Sequence, residues 1–262
     1  MKKLFMLFLL LTGCGAVCFA QIKIGNRTIN TKKVLNAAAD AASAITLSDE
    51  DVAALCRESV KWMDEHNRVS APDSKYSKRL DSLMAKVSKI EGLTLNYKVY
   101  EVVDINAFAC GDGSIRVFSA LMDLMEDDEL MAVIGHEIGH VVNTDSKDAM
   151  KNAYLASAVK SAAGAAGGIM EKLSDSDLGN IAQAFSNAQF SQKQESAADE
   201  YGFEFCIKNG FDPYGMANSL NKLSNLSEGQ KATKFQQMFS SHPDSAARSQ
   251  RMKEKADAYT KK

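Results

Sequence analysis

The chain has 262 residues, 45% of them apolar and 24% charged, which describes a globular protein of one large or two small domains. A formal net charge of −2 gives no electrostatic footing for a nucleic-acid partner, and no nucleic-acid recognition motif occurs. Only three prolines and an alanine-rich composition favour helix over sheet.

In chain order, residues 1–20 read as a signal peptide outside the fold. Lys2 and Lys3 form a positive n-region, Leu4 to Leu11 an apolar h-region, and small residues follow. The apolar run is too short to anchor in a bilayer. Leu11-Thr12-Gly13-Cys14 resembles a bacterial lipobox, whose cysteine becomes a lipidated N-terminus. Cys18-Phe19-Ala20 before Gln21 resembles an ordinary signal-peptidase site, and both processing routes stay open. Either one exports the chain, to the periplasm or as an outer-membrane lipoprotein of a bacterial envelope. Any membrane contact would then run through the N-terminal lipid alone. Export permits disulfides. Beyond the signal region stand Cys56, Cys110 and Cys206, spaced too widely for a C-x-x-C motif. They read as small buried hydrophobes, with one bridge left open because sequence does not choose the pairing.

Residues 21–47 are polar and alanine-rich and read as an N-terminal tether or arm; 48–262 form the folded domain. A helix is predicted from Ser48, an N-cap followed by Asp49, Glu50 and Asp51, to about Asn67. Ala71-Pro72-Asp73 breaks the chain, and a second amphipathic helix runs from Ser74 to about Ile90. Leu93 to Val103 alternates in the manner of a strand, and 106–110 and 115–118 flank Gly111-Asp112-Gly113 as a hairpin. Ser119 leads into a helix through Met125. The next helix opens on Glu126-Asp127-Asp128-Glu129 and carries Leu130, Val133, Ile134, Ile138 and Val141 as a core-facing stripe. Asp145 and Lys147 mark where it ends or meets solvent. Residues 153–170 read either as a mobile helical segment over the site or as a packed surface helix. A further helix ends at Asn209-Gly210, and the tail after Ser245 is helical in composition. The fold class is α+β, mainly helical, with a small β-sheet directly before the Glu126 helix.

That helix contains His136-Glu137-Ile138-Gly139-His140, an H-E-x-x-H pattern using two of the chain's four histidines. Spacing of i, i+4 stacks both rings on one helical face, where they can share one zinc ion. Glu137 beside them suits a general base for the ion's water. A catalytic zinc keeps three protein ligands and one open position. The metzincin third histidine is excluded, because Asn143 and Ser146 stand where Gly and His are required. Downstream, Glu195 and Asp199 are i, i+4 with Ala197 and Ala198 between them. This pair offers one carboxylate to the metal and one to the outer nitrogen of a ligand histidine, or else belongs to a solvated acidic face with Glu200 and Glu204.

Together these residues resemble the zinc peptidases that include bacterial HtpX, the CaaX prenyl proteases and soluble envelope members. The resemblance rests on H-E-x-x-H at 136–140 followed by Glu195-Ser196-Ala197-Ala198-Asp199, on Asn106-Ala107-Phe108-Ala109, and on Ser241-His242-Pro243 with Arg248. Asn209-Gly210-Phe211-Asp212-Pro213 also fits, so the likeness spans about residues 75–255. Cys110-Gly111-Asp112-Gly113 departs from the proline-glycine turn of many relatives.

The resemblance implies a zincin-like metallopeptidase domain with one Zn2+ per chain, held by His136, His140 and Glu195. Glu137 is then the base, His242 stabilises the oxyanion and Asp199 supports a ligand. Asn106, Ala107 and Phe108 would bind substrate by strand addition, and Arg248 would position His242 or touch substrate. The function expected is an exported zinc endopeptidase acting on protein or peptide substrates, misfolded envelope proteins among them. The alternative is a non-proteolytic zinc-containing envelope chaperone or binding factor.

Overall fold

A computed structural model describes residues 22–24, 27–29, 47–161, 173–229, 241–243 and 245–261. The signal segment and residues 162–172 lie outside the described residues. Within the expected arm, β1 (Ile22–Ile24) pairs antiparallel with β2 (Arg27–Ile29), which the weak periodicity of 21–47 did not announce.

Helix α1 (Asp49–His66) begins where Ser48 and Asp51 cap each other reciprocally, the Asp51 carboxylate accepting from Ser48 N–H at 3.0 Å. Its inner face is Val52, Leu55, Cys56, Val60 and Met63. Helix α2 (Lys75–Met84) is capped by Ser74 and stops short of the expected Ile90. The backbone tightens there, with Lys86 and Val87 bonding back to Leu83 and Met84, and Ser88 N–H turns to Asn209 Oδ1 at 2.7 Å. Val87 and Ile90 still pack on the core, so the apolar period outlasts the helix.

Strands β3 (Asn96–Tyr100), β4 (Ala107–Ala109) and β5 (Ser114–Phe118) form one sheet in the order β3-β5-β4. The hairpin stands as expected, β4 antiparallel to β5 with Phe108 opposite Arg116; β3 runs parallel to β5 on its other side. The unusual turn is closed by Gly113 at φ +89°, where a Cβ would sit 2.1 Å from Thr94 O. Asp64 of α1 ties helix to sheet. Its carboxylate takes a bidentate pair from buried Arg116, at 2.8 and 3.0 Å, and single bonds from Lys98 and Tyr100. Burial opposes the charge on Asp64, but these donors prevail and hold its pKa down to about 2.

After α3 (Ser119–Leu124), helix α4 (Asp127–Val142) carries the H-E-x-x-H residues through the middle of the molecule. It starts on a Glu126/Glu129 capping box. Every residue from Glu129 to His140 is buried, so the stripe read from the sequence is one side of a helix enclosed all round. Helix α5 (Asp145–Ser161) follows at once, through Thr144 at φ +68°. It buries Met150 and Ala153 against α1 and α6 (Asp175–Ser186). The described part of 153–170 is thus packed helix.

Helices α7 (Gln192–Lys208), α8 (Gly215–Gly229) and α9 (Ser245–Thr260) complete the described chain. Asn209 and Gly210 end α7 as expected, Gly210 at φ +76°. Helices α6 and α8 have no counterpart among the sequence expectations. α6 carries an unread capping box, Ser174 with Asp177, and α8 carries Met216, Leu220 and Leu223 on one face.

α7 packs directly on α4. A Cβ on Gly135 would meet Phe205 at 2.7 Å, and one on Gly139 would meet Ala198 Cα at 3.1 Å. From the other side, a Cβ on Gly202 would lie 3.0 Å from Ala132 O and from His136 N. Glycine and alanine here let two backbones touch. Gly202→Leu is expected to force them apart, lowering stability by about 3 kcal/mol in urea unfolding and weakening metal uptake. An unchanged urea midpoint would show that the crossing tolerates bulk.

Candidate metal centre

His136 and His140 leave the same side of α4, and their Nε2 atoms lie 3.1 Å apart. Each ring turns its Nδ1 to a carboxylate. Asp199 Oδ1 is 3.0 Å from His136 Nδ1, and Asp145 Oδ2 is 2.9 Å from His140 Nδ1. An ionised carboxylate only accepts, so both Nδ1 atoms carry their protons and donate. Neutral rings so fixed aim two lone pairs at one point, an arrangement that calls for a cation between them.

Glu195 reaches that point from α7. Its Oε1 is 3.4 Å from His140 Nε2 and its Oε2 is 3.7 Å from His136 Nε2. His242, just after the segment 230–240, places Nδ1 at 3.3 Å from His136 Nε2 and 2.9 Å from Glu195 Oε1. One donor atom from each of these four buried residues lies within 4.8 Å of every other. Two imidazoles and a carboxylate suit zinc by donor type. Among the described residues, two buried oxygens, Glu195 Oε2 and Glu137 Oε1, have no hydrogen-bond partner. Arg248 Nη1 lies against Glu195 Oε2 as a charge neighbour but not in hydrogen-bonding geometry. These residues therefore fit a metal ion.

The electrostatics favour positive charge at the same place. Burial works against ionised Glu195, yet the neighbouring His140 and His242 rings hold its pKa far below the usual carboxylate range. Burial also works against a charged His140, but Asp145 and Glu195 prevail and raise its pKa to about 9, so a metal ion at Nε2 takes the place of a proton and leaves the ring neutral. At His136 burial wins over the Asp199 hydrogen bond, and the pKa falls. Asp199 is desolvated too; Arg248 and His136 nevertheless bring it to about 2.

Asp199 sits at the hub of the surrounding braces. It accepts from Arg248 Nε at 2.9 Å, Arg248 Nη2 at 2.6 Å and Arg251 Nη2 at 2.7 Å. Arg248 is buried among Asp199, Glu195 and the Pro243 carbonyl, so the structure places it against the Asp199 and Glu195 carboxylates. Asp145 is the residue sequence reasoning missed: its charge suggested solvent, but it is buried and braces His140. Its other oxygen accepts from Gln194 Nε2 at 2.9 Å. The only available signal was its place just past the helix end, five residues after His140, where Thr144 turns the chain back. Phe190, also unforeseen, stacks on the His140 ring with centroids 4.0 Å apart.

Glu137 faces a cleft whose walls include Asn106, Ala107, Phe108, Ala109, Phe185, Phe190 and His242. His242 Nε2 stands 3.6 Å from Glu137 Oε1. β4 forms one rim, with β5 on one side and no described strand on the other. Asn106 is itself buried, and its Oδ1 accepts from Ala107 N–H at 2.9 Å.

The chain matches peptidase family M48 over residues 73–256, nearly the span expected from the motifs. It is 40% identical to the metalloprotease LoiP of Escherichia coli (strain K12) over 244 residues, covering 93% of this chain and 95% of that protein. It is 38% identical to the metalloprotease YcaL of the same strain over 251 residues, or 94% of this chain and 92% of the relative. A protease HtpX homolog of Streptococcus pneumoniae (strain P1031) is 27% identical over 195 residues, 57% of this chain and 64% of its own. The chain belongs to peptidase family M48 and is a metalloendopeptidase acting on peptide or protein substrates. The expected α+β, mainly helical fold is the fold observed. Family membership decides against the non-proteolytic alternative. Among the described residues no helix is long and apolar enough to cross a membrane.

Asp199→Asn keeps the shape of the side chain but removes the charge that His136, Arg248 and Arg251 share. Metal affinity is expected to fall about 10–100-fold, measured by competition with a chromogenic chelator, with the circular dichroism of a folded protein retained. Equal affinity would deny Asp199 its part in orienting His136.

Proposed function

We propose that this M48 peptidase holds one Zn2+ through His136 Nε2, His140 Nε2 and Glu195, and cleaves internal peptide bonds of exported proteins. One observation carries the reading. The two lone-pair nitrogens and the Glu195 carboxylate converge on one point, one residue along the helix from a buried Glu137 oxygen that has no hydrogen-bond partner among the described residues. A purely structural site would leave that base without a task.

Bound zinc would supply Lewis acidity, lowering the pKa of water and polarising a carbonyl. The remaining work falls to the chain. Glu137 accepts a proton at Oε1 as water attacks the scissile carbonyl, then delivers it to the departing amine. His242, with Nε2 turned toward Glu137, donates to the oxygen that gains negative charge. Asp199 and Asp145 keep the ligand rings in their Nδ1–H tautomers. Arg248 acts as a brace for Asp199 and Glu195. An extended substrate lies along the open edge of β4, beside Asn106, Ala107 and Phe108, where backbone pairing gives affinity with little sequence selectivity.

Such loose selectivity suits clearance of misfolded envelope proteins, the substrate class proposed here. Export rests on residues 1–20, ending either at a lipidated Cys14 or in a free mature N-terminus. Mass spectrometry of the exported protein is expected to find a processed N-terminus, at Cys14 with diacylglycerol or at Gln21; an intact Met1 would remove the envelope assignment.

Glu137→Gln preserves the side-chain shape and abolishes the base. Casein hydrolysis is expected to drop by about 10²–10⁴-fold while the protein still binds one zinc, and chelation of the wild type is expected to stop cleavage reversibly. Near-normal hydrolysis by the variant would dismiss Glu137 as the base.

A further inference from the structure

Cys56 on α1 and Cys110 at the end of β4 are both fully buried in the core cluster shared by α1, α5 and α6. Their sulfurs and a carboxylate oxygen of Asp112 lie within 4.8 Å of one another. The backbone that presents Cys110 is tightly held, its N–H bonded to Ser114 O at 2.9 Å and its carbonyl accepting from Gly113 N–H at 3.0 Å. A Cβ built on Gly111 would stand 3.9 Å from Cys56 Sγ, so α1 closes directly on the turn.

Two chemistries use paired thiols, a metal site and a disulfide. The metal reading lacks ligands. Asp112 is already engaged, accepting from Ser114 N–H at 3.0 Å and from Ser114 Oγ at 2.9 Å, and no fourth donor among the described residues joins the group. A closed structural zinc site needs four ligands. Cys206 belongs to the other core cluster, so among the described residues it does not compete for either partner.

We propose that Cys56 and Cys110 form a disulfide that fastens α1 to the end of the cleft-edge strand β4, and that it closes during folding. Each thiol loses its proton, one S–S bond forms, and the two electrons reduce a small-molecule disulfide such as oxidised glutathione to two thiols. The order of events follows from burial. In the folded chain both sulfurs are sealed from solvent, and burial with the Cys56 neighbour pushes the Cys110 thiol well above its usual range. A sealed thiol with little thiolate reacts slowly, so oxidation has to precede the closing of the core. The bridge joins residues far apart in sequence, and a long closed loop removes more freedom from the unfolded chain than a short one. It pins the rim along which substrate would be laid.

The full chain, unfolded under reduction and then refolded with oxidised glutathione, is expected to yield a Cys56–Cys110 linked peptide on mass mapping, with Cys206 still alkylatable. The bridged protein should melt on the order of 10 °C higher than the reduced protein. The Cys56→Ser/Cys110→Ser double variant should show no such difference between oxidising and reducing refolding. Oxidant added only after reduced folding should form the bridge at least about tenfold more slowly. Free thiols at both Cys56 and Cys110 after oxidative refolding, or a linkage through Cys206, would overturn the proposal. So would a second metal ion held by the wild type and lost in the double variant.

Discussion

Gly135, Gly139, Gly202 and Ala198 allow α4 and α7 to touch backbone to backbone, and that contact sets the distance at which Glu195 meets the two imidazoles. Helix pairs lie about 8–10 Å apart depending on the side chains at the crossing. Metal ligands tolerate only about 0.2 Å of error in bond length. A crossing built from larger residues would move the carboxylate well beyond that tolerance. Side chains absent from the interface therefore matter as much to the candidate metal centre as the His136, His140 and Glu195 side chains that are present.

The close approach brings acids and bases together where water is excluded. Glu195, Asp199 and Asp145 are all buried, and an unpaired buried carboxylate costs several kcal/mol of solvation. The structure offsets that cost with fixed donors: both His Nδ1 atoms, Gln194, Arg248 and Arg251. This accounts for α9, the tail after Ser245 that reads as charged and helical in composition. It delivers Arg248 into the core with Met252 and Ala256 on the same side. The pKa shifts fall into line, with Glu195 and Asp199 held ionised and His140 drawn toward positive charge. The whole enclosure is tuned to accept a cation.

Around this centre the chain divides its labour by element type. The proposed ligands His136, His140 and Glu195 stand on helices, which hold side chains at fixed angles. The substrate surface proposed is instead β4, which has no described strand on its outer side and whose backbone groups would pair with an extended chain regardless of its sequence. Phe190 and His242 close the cleft from the opposite side, joined through the Phe190 N–H bond to the Ser241 carbonyl. Clamping Asp64 with Arg116 stiffens β5, and β5 in turn holds β4 in register.

Local signals in the sequence were enough for the helix of His136-Glu137-Ile138-Gly139-His140, the hairpin at Gly111-Asp112-Gly113, the Ser48 cap and the Asn209-Gly210 stop. Each depends on residues a few positions apart, whose interaction is the same in any context. The family likeness located Glu195, His242 and Asp199, which spacing alone left ambiguous. Tertiary structure decided the rest. It buried Asp145 beneath His140, moved Arg248 against the Asp199 and Glu195 carboxylates, enclosed α4 on every side, ended α2 early at a hydrogen bond to Asn209, and brought Cys56 to Cys110. A carboxylate or a thiol reads alike in sequence whether it meets water or a partner fifty residues away. Only the packing of distant elements, which fixes local dielectric and contact distance, tells the two apart.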